Sequence, residues 1–173
     1  MTGASFHRTQ YIQNGYTVFA GAMTDSFING VLSILSEAHV GELVAGDESS
    51  HSWRELPLTE EDIPDHKSLW TYTEEVLGAF PVKTSHWLNV YNAGEFIAGH
   101  VDAGGQAQLM VPLEMPLVGS GGEIWIGNKR QLIPLSVGDV LLFAAHKVPH
   151  GTTKVTEGRR VSLNIRLWLS DQC

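Results

Sequence analysis

The spacing of apolar residues changes character part-way along the chain. Residues 16–23 form a short apolar run that reads as a strand, and Thr24 or Asp25 can then cap a helix over residues 25–38. Within that helix Phe27, Val31, Leu32 and Leu35 recur on one stripe. Residues 41–60 are polar and irregular and read as a loop. Pro64 suits the first turn of a second helix reaching about Phe80, with Leu69, Val76, Leu77 and Phe80 as its apolar face. After Pro81 the period shortens: segments 86–92, 95–102, 106–113, 122–127, 131–135, 139–144, 151–156 and 160–169 are rich in Val, Ile, Leu, Trp and Tyr and are separated by glycine-bearing turns. Two helices followed by a succession of short strands predict a mainly β architecture with an α-helical buttress, a barrel or jelly roll carrying helices on one side.

No repeat or Pro/Ser-rich linker divides the chain, so residues 1–173 are expected to form one domain. Residues 1–85 would supply a strand, supporting helices and a substrate-cover loop, and residues 86–169 the β core. Lys plus Arg is 11 against 19 Asp plus Glu, a net charge of −8, with no cluster of basic residues. That balance argues against nucleic acid and anionic membranes as partners, since both are bound by neutralising phosphate with Lys and Arg. No apolar run approaches the ~20 residues of a bilayer span. The first residues lack the charged-then-apolar pattern of a signal peptide, so a cytoplasmic location is expected. The only cysteine is Cys173, which rules out internal disulfides and Cys-based zinc sites.

The candidate chemistry lies in the second half. His100 and Asp102 are two apart in a strand-like segment and therefore share a face. A third ligand would come from another strand, and the run from Gly138 to Gly151 offers His146 and His150. Two histidines and one carboxylate on one face of an octahedron form the ligand set of non-haem Fe(II) oxygenases. In the last segment Arg160, Ser162, Asn164 and Arg166 alternate with Val161, Leu163, Ile165 and Leu167. A buried arginine on that polar face needs an anionic partner, and its planar fork matches a carboxylate. A one-residue slip would put Arg159 there instead, facing with Val161 and Leu163. The tryptophans Trp70, Trp87, Trp125 and Trp168 are read as core residues.

Asn89-x-Tyr91, His100-x-Asp102, Gly121-Gly122-Glu123, Gly138-Asp139, Pro149-His150 and Gly158-Arg-Arg160-x-Ser162 occur in the order of the Fe(II)/2-oxoglutarate-dependent dioxygenases, which the chain resembles over residues 86–169. The resemblance implies a double-stranded β-helix (jelly roll, cupin-like) and the cofactors Fe(II), 2-oxoglutarate and O₂. It implies His100, Asp102 and His150 as catalytic iron ligands, the spacing to Arg160 selecting His150 over His146. Arg160 would grip the distal carboxylate of 2-oxoglutarate, with Ser162 and Tyr91 as hydrogen-bond donors. Asn-x-Tyr before His-x-Asp, with a second arginine six residues after the first, is similar to the alkylation-repair demethylases and extends cofactor binding to Asn89 and Arg166. The last segment resembles small prolyl-hydroxylase-like enzymes equally. His51, Trp53 and Arg54 fall in the segment that such enzymes use to cover the substrate mouth and are candidate substrate contacts.

The implied activity is a hydroxylase: oxidative decarboxylation of 2-oxoglutarate to succinate and CO₂, coupled to hydroxylation of an unactivated C–H bond in a small molecule such as an amino acid or biosynthetic intermediate. A peptidyl side chain is the alternative substrate. Nucleobase demethylation fits the motifs but not the charge, and a non-catalytic cupin-like binding module would be expected to lack a ligand that is present here.

Overall fold

The computed structural model describes residues 3–37, 44–45 and 53–170. The elements run α1 (Gly3–Asn14), β1 (Tyr16–Phe19), α2 (Asp25–Glu37), β2 (Val44–Ala45), β3 (Arg54–Leu58), α3 (Trp70–Leu77), β4 (Pro81–Asn92), β5 (Ile97–His100), β6 (Ala107–Glu114), β7 (Ile124–Ile126), β8 (Gln131–Ile133), β9 (Val140–Phe143), β10 (His150–Thr152) and β11 (Arg159–Leu169). Two antiparallel sheets result, one in the order β1-β9-β6-β11-β4-β3-β2 and the other β5-β10-β7-β8. This is the jelly-roll arrangement with a helical buttress that the residue pattern predicts.

The central strand, β11, explains the layering. Val161, Leu163, Ile165 and Leu167 are fully buried and share one core cluster with Phe27, Ile28 and Val31 of α2 and Val76 of α3. The helices therefore cover the apolar face of the large sheet, leaving Arg160, Ser162, Asn164 and Arg166 on the opposite face. Burying four such aliphatic side chains stabilises the fold by roughly 1.5–3 kcal/mol each. Across β11 and β4 the register pairs Arg160 with Tyr91, Ser162 with Asn89, Asn164 with Trp87 and Arg166 with Ser85. Paired residues of antiparallel strands project to the same side, so the polar stripe continues onto β4.

Several elements differ from expectation. α1 is a helix with polar residues almost all round, so it gives no periodic apolar signal. It is held by Tyr11 packed on the core, by His7 stacked on Phe19, and by polar bonds, with His7 Nδ1 2.9 Å from Thr17 Oγ1 and Thr17 donating to Gln10 Oε1 at 3.0 Å. α2 matches its prediction, and Thr24 Oγ1 accepts from the Phe27 N–H. The second predicted helix is broken: Asp65 has φ of 46°, a single 3-10 turn spans His66–Leu69, and α3 is only Trp70–Leu77. Gly78 in the left-handed region ends it, which leaves Phe80 exposed rather than on an apolar face.

The stretch read as a loop over 41–60 contains β2 and β3. Pro57 masks the strand signal, because proline cannot donate to a ladder. β2 pairs with Arg54 and Glu55, so among the described residues Pro57 has a ladder partner on the β4 side alone, which tolerates it. Among the described residues, no helix is long and apolar enough to cross a membrane.

Candidate functional site

The two sheets enclose a cavity of about 320 Å³. From the small sheet, His100 on β5 and His150 on β10 face one another in register, with ring centroids 4.3 Å apart. Asp102 follows β5 directly, and its N–H donates to Ala145 O at 3.0 Å, which fixes the carboxylate beside the two rings. His100 Nε2 lies 3.5 Å from Asp102 Oδ1, and His150 Nε2 lies 3.9 Å from Asp102 Oδ2. One potential ligand atom from each residue falls within 4.8 Å of the others, and His146 is not part of this group.

The backbone sets the tautomers. His100 Nδ1 is 2.9 Å from Ala98 O, and His150 Nδ1 is 3.0 Å from Val148 O. A carbonyl only accepts, so each Nδ1 carries a hydrogen and Nε2 is the ring atom turned toward Asp102. Burial lowers the His150 pKa, which favours its neutral form. The hydrogen bond with Asp102 raises His100, against the effect of burial. Burial by itself would raise Asp102, but His100, Arg166 and His150 together hold its carboxyl below the ordinary range. The carboxylate is thus ionised and flanked by two nitrogen donors.

Two glycines let these strands approach. A Cβ on Gly99 would sit 2.7 Å from the Trp125 ring, and one on Gly151 would sit 2.7 Å from Trp125 and 2.8 Å from Ile97 O. The Trp125 indole lies across Gly99 of β5 and Gly151 of β10, each next in sequence to a histidine, and only glycine leaves it that room.

Behind the lining residues Tyr91 and Met110, Arg160 is 1% exposed. Its guanidinium lies 5.2 Å from the centre of the Tyr91 ring, and Nη2 is 3.1 Å from Met110 Sδ. Nε and Nη1 have no partner, and no carboxylate pairs with this arginine among the described residues. Burial pushes its pKa down. Burial also raises the Tyr91 hydroxyl, which Arg160, Thr152 and Asn89 partly offset. Asn89 Nδ2 donates to Tyr91 Oη at 3.3 Å, holding the hydroxyl beside the guanidinium. Arg159, by contrast, pairs with Glu114 on the surface, so the register selects Arg160.

Ser162 is fully buried, and its Oγ accepts from Asn164 Nδ2 at 3.3 Å. Arg166 lies at the other end of the stripe, roughly 20 Å along the strand from Arg160 by strand rise. Its Nη2 is 2.5 Å from Asp102 Oδ2, and its guanidinium stacks 5.2 Å from the Trp87 ring centre. Trp53 lines the cavity. Arg54 does not: strand alternation turns it to the other face of β3, where it lies 3.7 Å from Glu95. This corrects its reading as a candidate substrate contact. His51 lies outside the described residues.

The sequence reading did not single out Glu55, Gln108, Met110 and Thr152, all of which line the cavity, and it took the lining residue Trp87 for core. Thr152 was legible, being two residues after His150 on the same strand face. Gln108 was also legible, as a polar position in the apolar run of β6. Glu55 and Trp87 were not, because their exposure depends on which sheet face encloses the cavity.

No protein-family model matches the sequence, and no curated protein matches it significantly. Solved structures do match in shape. A Pseudomonas putida prolyl-4-hydroxylase superposes with a TM-score of 0.79 at 12% identity, covering 95% of this chain and 98% of that one. A Trichoplax adhaerens prolyl hydroxylase, solved with a hypoxia inducible factor oxygen degradation domain peptide, gives 0.75 at 14% identity over 95% and 88%. SnoN, the non-haem α-ketoglutarate-dependent epimerase of nogalamycin biosynthesis, gives 0.78 at 15% over 95% and 83%. With two antiparallel sheets, helices on the outer face of the larger one and this superposition over nearly the whole chain, the protein has the double-stranded β-helix fold of the Fe(II)/2-oxoglutarate oxygenases.

Proposed function

We propose that the protein is an Fe(II)- and 2-oxoglutarate-dependent oxygenase that hydroxylates an unactivated C–H bond of a small molecule. One observation carries the reading: a two-histidine, one-carboxylate cluster lines the cavity, and a fully buried arginine with two unpartnered nitrogens packs against the lining residues Tyr91 and Met110. The donor set suits a divalent iron with open positions, and the orphaned guanidinium suits a carboxylate. When bound, iron and 2-oxoglutarate supply the oxidative decarboxylation and C–H oxidation.

His100, Asp102 and His150 would hold the metal, the two Nε2 atoms being turned inward by the Nδ1–H bonds to Ala98 and Val148. Arg160 would pair with the distal carboxylate of 2-oxoglutarate, with Tyr91 donating its phenolic hydrogen to the same group. Ser162 lies on the stripe between Arg160 and the metal cluster and would supply a further hydroxyl. Asn89 orients Tyr91 through its amide hydrogen bond. Arg166 holds Asp102 in place by an ion pair and offsets negative charge at the metal end. Trp53 and Trp87 form apolar walls that exclude water from the metal-facing half.

A second reading, hydroxylation of a peptidyl side chain, is favoured by the prolyl hydroxylases among the structural neighbours, one of them solved with a peptide. The net charge of −8 disfavours nucleic acid as substrate. Anaerobic visible spectroscopy tests the central reading. Adding Fe(II) and then 2-oxoglutarate to metal-stripped protein should give a charge-transfer band that requires both, and succinate should form on admitting oxygen. Absence of both band and succinate refutes it. A substrate screen in which peptides but no small molecules accelerate succinate formation would replace the first substrate reading with the second.

A further inference from the structure

We propose that Glu55 is the anchor of a subsite for a cationic ammonium group on the substrate, formed with Asn89 and the indoles of Trp53 and Trp87. The proposal rests on the oxygenase reading only in calling the occupant a substrate.

Glu55 lies opposite Asn89 across β3 and β4, and the two side chains project to the same side of the sheet. Both line the cavity, as do Trp53, two residues before Glu55, and Trp87, two residues before Asn89. Glu55 is half-buried and makes no ion pair or hydrogen bond among the described residues.

The nearby cations are already engaged. Arg54 lies on the opposite face of β3 with Glu95, Arg166 is paired with Asp102 and stacks on Trp87, and Arg160 is fully buried against Tyr91 and Met110. Among the described residues no lysine lines the cavity. The carboxylate therefore faces the cavity without an ion-pair partner among the described residues.

Asn89 supplies an independent second acceptor. It is 8% exposed, its Nδ2 is used on Tyr91 Oη, and its Oδ1 is buried with no donor. A carboxylate and an amide oxygen both require donors, and indole faces attract cations. An ammonium group satisfies all three, giving N–H donors to the two oxygens and positive charge to the carboxylate and rings. A substrate carboxylate would be repelled by Glu55, and a neutral group would leave its charge uncompensated.

The experiment uses three probes with one ring and different charge: cyclohexylammonium, cyclohexanol and cyclohexanecarboxylate. Each is titrated calorimetrically into the anaerobic protein with Fe(II) and 2-oxoglutarate, and the visible band records in the same sample whether both have bound. If the band is missing, the oxygenase reading fails, but the titrations are repeated on the metal-free protein, so the charge preference is read either way.

Cyclohexylammonium is expected to bind about tenfold tighter than cyclohexanol, with the carboxylate weakest, from one partly buried ion pair plus a cation–π contact. Glu55→Gln should reduce the ammonium to the affinity of the alcohol and leave the alcohol unchanged. Should Glu55→Gln lose all three probes, Glu55→Asp decides: a retained ammonium preference supports the subsite, and its absence overturns it. Equal affinities in the parent protein, no binding of the ammonium, or an ammonium preference that survives in Glu55→Gln also overturns the proposal.

Discussion

Replacing Arg160 with methionine should move stability and co-substrate affinity in opposite directions. The side chain is 1% exposed, it rests against the Tyr91 hydroxyl and Met110 Sδ, and two of its nitrogens have no partner among the described residues. A buried charge without a counter-ion is costly, and well-packed apolar replacements of buried charged groups often stabilise by about 1–4 kcal/mol. Taking about 1–2 kcal/mol as the gain, and about 2–4 °C per kcal/mol at this chain length, the metal- and co-substrate-free Arg160→Met protein should melt roughly 2–8 °C higher. Binding should respond oppositely. Removing one partner of a buried, hydrogen-bonded charge pair costs about 2–5 kcal/mol, or roughly 30- to 5,000-fold in the dissociation constant of 2-oxoglutarate.

The assay is thermal denaturation of both proteins, with and without Fe(II) and 2-oxoglutarate. At a hundredfold excess over its dissociation constant a ligand adds about 2.7 kcal/mol, a shift of roughly 5–11 °C for the parent. At the same concentrations the variant should show almost none of the 2-oxoglutarate increment. If Arg160→Met melts below the parent without ligand, the guanidinium is a net structural asset and the reasoning about an unpaired charge fails. If it keeps the full co-substrate shift, Arg160 does not receive the dicarboxylate.

Other perturbations probe the remaining parts of the site. His150→Ala removes one of three ligand atoms, and Fe(II) affinity measured by competition with a chelator should fall by more than about 100-fold, since even outer hydrogen-bond partners of metal ligands contribute about 10–100-fold. Gly151→Ala places a methyl group against Trp125 and Ile97 O and should cost about 1–3 kcal/mol in urea denaturation. Because β10 carries His150, metal affinity should fall with it, and Trp125→Leu should restore part of both; an unperturbed Gly151→Ala protein would refute the close approach. Leu163→Ala, at a fully buried position of β11, should lose about 2–5 kcal/mol by the same measurement. A loss below 1 kcal/mol would mean that the helices do not pack on that face.

The local alternation of residue types was enough to find the half of the chain that carries the candidate site. His100 and Asp102 share a face because strand side chains repeat every second residue, and β11 separates four aliphatic residues from Arg160, Ser162, Asn164 and Arg166 by the same rule. The helix α2 was equally plain, since one apolar stripe and one capping threonine define it. Weakly patterned segments were not legible: α1 has no apolar stripe, β3 contains Pro57, and the second helix is interrupted at Asp65.

Which polar residues share the enclosed space was decided only by the fold. The pairing of β3 with β4 sets Glu55 beside Asn89, more than thirty residues away in sequence, while strand alternation turns Arg54 to the other face. The same long-range pairing brings Arg166 to Asp102, puts His150 opposite His100 and leaves Arg160 buried without a carboxylate. Spacing along a strand fixes the face of a side chain. What that face meets depends on which strand lies alongside and which sheet closes over it, and both are properties of the packed chain.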